Sequence, residues 1–448
     1  MTLPSPPPAC PAYVTGPSSP SRPGSAAADL LAFGHADPGL LFGPELAADP
    51  GALYELLRHR HGPVAPVLLH DHIPAWLVIG YAELNAVLHD GDRFSADPTN
   101  WRELTEGRVP EYWPLRPAVI TIPNPRNADG DEHIRLRTIV TASLVQLSPR
   151  RVRRIVEQTA DELIRAFSAS GHADLIGDFA RLLPGLVMAR LLGVPEDQAQ
   201  ILLDGVTRMV DGGPDAIAAN EQVMTILREL VAAKSAAPGH DLISWMLTGP
   251  GRLPDEDNHS EADWQETVTR QAWVVLCGGL EVAQTWMANA TLLMLTSSML
   301  SEMRGGRLTV PDALSQALWQ HPPVQNVIGR YALTDVPLGR IVIERGDMVI
   351  LGLAAAGADP VIQPDLAAAH RSRAYPAFGI GPHACPAPDL GEQITRIATE
   401  HLLQHVPGMR LADNPDALDW RPSLLMRGLA SLNVTFPPFT LPTRAGHR

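Results

Sequence analysis

Hydrophobic positions along this chain follow a helical period over most of its length. Ala52 to Arg60 has apolar residues at helical spacing and predicts a short helix. Val64, Val67 and Leu68, then Leu77, Val78 and Ile79, predict a hairpin across Pro63 to Ile79. Residues 94–130 break the pattern with prolines, glycines and the tryptophans Trp101 and Trp113. Such a long irregular stretch predicts a functional loop. From His133 to Leu300 the helical period returns. Ser148-Pro149 opens one helix, with Ser as N-cap and Pro at the first helical position. Asp174 to Leu192 predicts another, stopped by Gly193-Val194-Pro195. Ala262 to about Leu300 predicts a very long helix whose pattern is interrupted at Gly278-Gly279. A short helix follows from Pro311 to Gln320, then strands around Arg340–Glu344 and Met348–Leu351. Gly357 to Pro376 is irregular, and a last helix runs from Pro388 to His405. The class is mainly α with a minor β part. Residues 1–28, rich in Pro, Ser, Gly and Ala without a period, predict a disordered tail, and 29–448 a single domain.

Composition narrows the function. The chain has 448 residues, 45% of them hydrophobic, enough for a sizeable core. Its net charge of −14 argues against nucleic acid or an anionic membrane as partner. Cys10, Cys277 and Cys385 are too few, and odd in number, for a disulfide framework. The N-terminus lacks a basic and then apolar leader, and no apolar run is long enough to span a bilayer. The expectation is a cytoplasmic protein with reduced thiols and no membrane anchor. Cys277 reads as a small core residue.

The sharpest motif is Phe378-Gly379-Ile380-Gly381-Pro382-His383-Ala384-Cys385. Two glycines two apart permit a tight turn. The cysteine lies just before the helix that opens near Pro388, where the helix dipole favours a thiolate. This stretch resembles the cysteine loop of the cytochrome P450 family at all its fixed positions: Phe378, Gly379, Gly381, His383 and Cys385. Residue chemistry agrees, because a lone thiolate builds no zinc or iron–sulfur site but suits the axial position of a haem. The resemblance spans about residues 30–437. It implies the P450 fold, with haem b (iron protoporphyrin IX) between the long central helix and the cysteine loop, and Cys385 on the metal. It assigns His133 and Arg137, four apart on one helical face, to one propionate and Arg330 to the other. Tyr375 stands where relatives often carry a propionate-binding His. Val327, Ile328, Leu280 and Leu429 would line the substrate pocket, Leu429 from a C-terminal hairpin within Met426 to Val434.

Three segments depart from the family pattern. Ala387 replaces the usual Gly two residues after the cysteine. Gly278-Gly279-Leu280-Glu281-Val282 resembles the oxygen-side motif Ala/Gly-Gly-x-Asp/Glu-Thr, but Val282 replaces the alcohol. Gln284 and Thr285 are near but not in the same place. Ser315-Gln316-Ala317-Leu318-Trp319 aligns with the helix that carries Glu-x-x-Arg in nearly every relative. Gln316 replaces Glu and Trp319 replaces Arg, leaving Arg371 or Arg373 to find another partner. Losing one member of a buried ion pair costs about 3–5 kcal/mol, whereas replacing both is near neutral. A subset of actinobacterial relatives carries this Gln-x-x-Trp form.

The resemblance implies a monooxygenase acting on a small organic, secondary-metabolite-like substrate. Glu281 would assist proton delivery, and a ferredoxin would dock on Arg150, Arg151, Arg153 and Arg154. The altered motifs leave two alternatives open. One is peroxide use or radical coupling. The other is a haem-binding accessory or sensor protein.

Overall fold

A computed structural model describes residues 38–43, 46–47, 49–119, 123–211, 215–252, 260–362 and 372–441. The expected 1–28 tail and Arg371 lie outside the described residues. From Gly39 onward the chain forms one compact unit.

The β part comes first. Strand β1 (Gly39–Leu40) precedes helix α1 (Pro50–His61), whose N-cap Asp49 accepts from the Ala52 amide. Strands β2 (Val64–Leu68) and β3 (Pro74–Val78) pair antiparallel, as the hairpin pattern predicts. Helix α2 (Tyr81–His89) and strand β4 (Phe94–Ser95) follow. The irregular stretch after β4 is not a loose loop throughout. Trp101 and Trp113 are fully buried, and the Trp101 ring stacks on Tyr331 at 6.0 Å.

Helices then dominate: α3 (Gly130–Leu144), α4 (Pro149–Phe167), α5 (Leu182–Leu192), α6 (Glu196–Asp211), α7 (Ala216–Ala236) and α8 (Leu242–Thr248). Between α4 and α5 the structure departs from the single helix expected over Asp174–Leu192. Strand β5 (His172–Asp174) and a π-helical turn (Ile176–Ala180) occupy its first part. The reason is Asp174, whose carboxylate accepts from the amides of Ile176, Gly177 and Leu432 and holds the chain at a sheet edge.

Helix α9 (Glu261–Thr296) runs unbroken for 36 residues from a Ser260/Asp263 capping box. Gly278-Gly279 does not interrupt it. A Cβ on Gly279 would sit 2.9 Å from Met188 of α5, so glycine there permits close helix packing. Helix α10 (Val310–Gln320) also starts at a capping box, Thr309/Asp312. Strands β6 (Val327–Ala332), β7 (Val336–Leu338), β8 (Ile341–Ile343) and β9 (Met348–Leu351) return to the β part. The last elements are α11 (Pro388–His405), β10 (Arg410–Leu411) and β11 (Asn433–Thr435). A six-stranded sheet runs β1-β2-β3-β9-β6-β4, and a smaller one β10-β11-β5. The largest apolar cluster joins α4, α5, α6, α7, α9 and α11, and a second lies under the six-stranded sheet. Among the described residues no helix is long and apolar enough to cross a membrane.

Candidate active site

The cysteine loop takes its shape from its glycines. Gly379 and Gly381 have φ of 69° and 73°, a region L side chains rarely adopt. A Cβ on Gly381 would also lie 2.5 Å from the Leu88 carbonyl oxygen. The turn closes with the Cys385 amide donating to Phe378 O at 2.8 Å. The Ala387 amide donates to Cys385 Sγ at 3.4 Å. Ala387 itself has φ −135°, so a methyl group fits where relatives place glycine. Burial nevertheless pushes the Cys385 thiol above its ordinary range, and the Ala387 amide and Arg137 only partly offset this. The start of α11 is therefore not enough by itself to make the thiolate. A bound metal ion supplies the missing charge.

A basic group gathers beside this loop. His133 is buried in α3, and its Nε2 has no hydrogen-bond partner. Burial, then His383, Arg137 and Arg330, hold its pKa down at about 4. The His133 and His383 rings lie 4.1 Å apart. His383 Nδ1 is 3.1 Å from Pro125 O, which can only accept, so Nδ1 carries the proton. Arg330 of β6 is 6% exposed and donates to the carbonyl of its own neighbour Gly329. Burial and then Arg126 bring its pKa down to about 10. Arg126 donates to Ala118 O at 2.6 Å and to Ile328 O at 3.2 Å, and burial lowers its pKa as well. The carboxylate facing this group is Asp129. Burial raises its pKa, but bonds from His383, Ser95 and Ala96 win and hold it at about 2.

The long helix supplies the opposite wall. Val282 is the one residue from Leu280 to Met294 that is not buried. Gly278, one turn earlier, is exposed, and a Cβ there would meet nothing within 4 Å. Val274, Gly278 and Val282, four apart, thus lie on one accessible face, flanked by the partly buried Trp273, Val275, Cys277 and Gly279. Cys277 sits beside this face, partly accessible, with Arg126 close enough to act on its thiol. It packs against the large apolar cluster, and burial is the first cause of its raised thiol pKa. Charge influence thus links Arg137 to both Cys385 and His133, Arg330 to His133, and Arg126 to both Arg330 and Cys277.

The chemistry of these residues fits a flat iron-bearing dianion. The open strip at Gly278 would take a ring face, the orphaned His133 Nε2 and buried Arg330 would take carboxylates, and Cys385 offers an axial sulfur.

Glu281 points elsewhere. It is 2% exposed, and Arg421 Nη1 donates to its Oε2 at 2.9 Å while Thr207 Oγ1 donates to Oε1 at 3.2 Å. Thr285 is buried with its hydroxyl unpartnered, and the Cβ position of Gly428 is 3.3 Å from that oxygen. It lies on the same side of the helix as Gly278 and Val282 but, unlike them, is buried. Of the expected pocket residues, Val327 stays accessible, whereas Ile328, Leu280 and Leu429 are fully buried.

On the other side of the loop, Trp319 is buried and its indole N–H donates to Ser372 O at 3.0 Å. Its ring meets Tyr375 edge-on at 5.9 Å, and Tyr375 packs on Phe378 at 6.2 Å. Trp286 of α9 meets Phe378 at 5.7 Å and donates to Leu314 O of α10. Tyr375 thus belongs to this aromatic chain, and its recorded partners do not include the His133–Arg330 group. Arg373 bonds Glu392 at the surface. Sequence reasoning missed Arg126, Asp129, Arg421 and Thr207. Asp129, an acid directly before a helix, was the readable one, although it bonds to Ser95 and Ala96 rather than capping α3.

Fold and loop together define a haem-thiolate protein. No protein-family model matches the chain. The chain is 31% identical over 406 residues to the cytochrome P450 monooxygenase PikC of Streptomyces venezuelae, across 88% of this chain and 92% of that one. It is 30% identical over 389 residues to the 6-deoxyerythronolide B hydroxylase of Saccharopolyspora erythraea, across 83% and 92%. CYP154A1 from Streptomyces coelicolor A3(2) superposes with a TM-score of 0.75 at 29% identity, over 89% of this chain and 100% of that one. The chain belongs to the cytochrome P450 family. It is a monooxygenase-type oxidoreductase whose cofactor is haem.

Proposed function

We propose that this chain oxidises a small, largely apolar natural product, with electrons supplied by a ferredoxin. The carrying observation is the Cys385 loop, with its His383 ring 4.1 Å from the buried His133 whose Nε2 has no partner. Bound haem supplies oxygen-activating redox chemistry that side chains lack. Cys385 ligates its iron. His133, Arg137 and Arg330 hold its propionates, with His383 and Asp129 positioning His133 from behind. Gly278 lets the ring approach the helix, and Gly279 seats that helix on α5. Val327 touches substrate, while Ile328, Leu280 and Leu429 hold the wall behind it. Glu281, bonded to Thr207 and Arg421 in the interior, is the acid we assign to proton handling. The relatives' names support the substrate class, since one is a hydroxylase of a single named organic compound, 6-deoxyerythronolide B.

Arg150, Arg153 and Arg154 are exposed at the start of α4. Gln393 of α11 donates to Pro149 O at 2.9 Å and ties that surface to the helix behind the cysteine. We assign the acidic ferredoxin to it. Arg151 is partly spent on His240 O and the Trp245 ring.

Val282 favours a second reading. No hydroxyl stands on the open helix face, so peroxide-driven oxidation or radical coupling competes with ferredoxin-driven hydroxylation. Carbon monoxide difference spectra of the reduced protein test the ligand, and Cys385→Ala is expected to abolish the thiolate-type Soret shift. A shift that survives the substitution rejects the assignment. Product formed with ferredoxin and reductase, against peroxide alone, decides between the two readings.

A further inference from the structure

We infer that Asp161, His401 and His405 form a second metal site, separate from the haem, that takes a zinc-class divalent ion. The three residues sit where α4 packs along α11. His401 and His405 are one turn apart and project from the same face of α11. Asp161 reaches across from mid-α4. A ring nitrogen or carboxylate oxygen from each lies within 4.8 Å of the others. The two imidazole centroids are 4.0 Å apart, with ring planes at 31°. Two imidazoles and one carboxylate are a common donor set for this class of ion, with solvent as the fourth ligand.

The surroundings orient these donors. His405 Nδ1 lies 2.9 Å from the carbonyl oxygen of His401. That oxygen can only accept, so Nδ1 carries the proton and Nε2 keeps its lone pair. A ring fixed through a backbone carbonyl is the usual outer support of a metal-ligating histidine. His401 Nε2 is 2.6 Å from Asp161 Oδ1. The proton now shared there is the one a metal ion would displace. Asp161 and His401 are 7% and 6% exposed, whereas His405 is partly open and gives an entry route. Ala160, Ile164, Ala398 and Leu402 beside them belong to the large apolar cluster, which keeps the site dry.

The site is remote from the haem cavity. It lies roughly 20 Å along α11 from Pro388, at about 1.5 Å rise per residue. A metal here would clamp α4 to the helix that follows the cysteine. It does not depend on the oxidase reading.

Calorimetric titration of the chelator-stripped, haem-loaded protein with zinc chloride tests the inference. One equivalent is expected to bind and to raise the melting midpoint. His405→Ala leaves the Asp161–His401 bond in place, so the variant should fold, as an unchanged haem spectrum would show. It is expected to lower zinc affinity at least about ten-fold, the size of effect seen when even an outer partner of a ligand is lost. Asp161→Asn should do the same. No stoichiometric binding to the wild type overturns the inference. So does equal affinity, or an equal midpoint rise, in His405→Ala. In either case the Asp161–His401 bond is a plain helix-to-helix hydrogen bond.

Discussion

Val282 stands alone as an accessible residue in the buried stretch from Leu280 to Met294, so on the proposed reading one side chain decides what a bound haem meets there. Valine has nearly the shape of threonine without its hydroxyl. Thr285 does not compensate, because its oxygen lies toward Gly428. Positioned acid–base groups contribute roughly 10²–10⁴ in rate. Val282→Thr is therefore expected to cut, several-fold, the share of electrons lost as hydrogen peroxide when ferredoxin and reductase drive the loaded protein. An unchanged share rejects a proton-handling role for this position. The missing alcohol was legible in the sequence because the flanking Gly278-Gly279 and Glu281 anchor the alignment. What Glu281 does was not legible. Its partners Thr207 and Arg421 are 74 and 140 residues away, and no local spacing encodes them.

Helix α10 is tied to the cysteine loop through Trp319. Its ring meets Tyr375 edge-on, and its N–H donates to the Ser372 carbonyl. The contact continues through Tyr375 and Phe378 to Trp286 on the long helix, so α10, the cysteine loop and α9 share one aromatic seam. Trp319→Phe should keep the packing and lose the bond, costing about 1 kcal/mol of unfolding free energy. Trp319→Ala should cost about 3–5 kcal/mol. Denaturant unfolding measures both. A cost for the Ala variant no larger than that for Phe would show that the seam carries no load. The helices were readable here because their signals are local: capping boxes at Ser260 and Thr309, and Pro388 at the start of α11. The Asp174 region misled because its apolar spacing also suits a helix. Only contacts from Asp174 to Leu432 reveal the strand and the π-helical turn.

At the scale of the molecule, basic groups gather in the interior beside the cysteine loop. Arg126, Arg330 and His133 all have pKa values lowered first by burial, with Asp129 as the facing carboxylate. An interior of this kind awaits anions, which is the strongest whole-chain argument for two propionates. It also sets a pH dependence. His133 ionises near 6.5 when unfolded and at about 4 in the folded haem-free chain. Both states are neutral there at pH 7, so this residue costs nothing. Between pH 6.5 and 4 the unfolded chain binds the proton that the folded chain refuses, and stability falls as pH falls. Asp129 does not confuse this window, because its own loss lies lower, between 3.8 and about 2. Propionates beside His133 would raise its folded pKa and shrink the penalty. The urea midpoint of the haem-free chain is therefore expected to drop from pH 7 to pH 5 more than that of the loaded protein. Equal drops would place the propionates away from His133. The haem would then be held by Cys385 and Arg330 without it, and the orphaned Nε2 would have to be met by another partner.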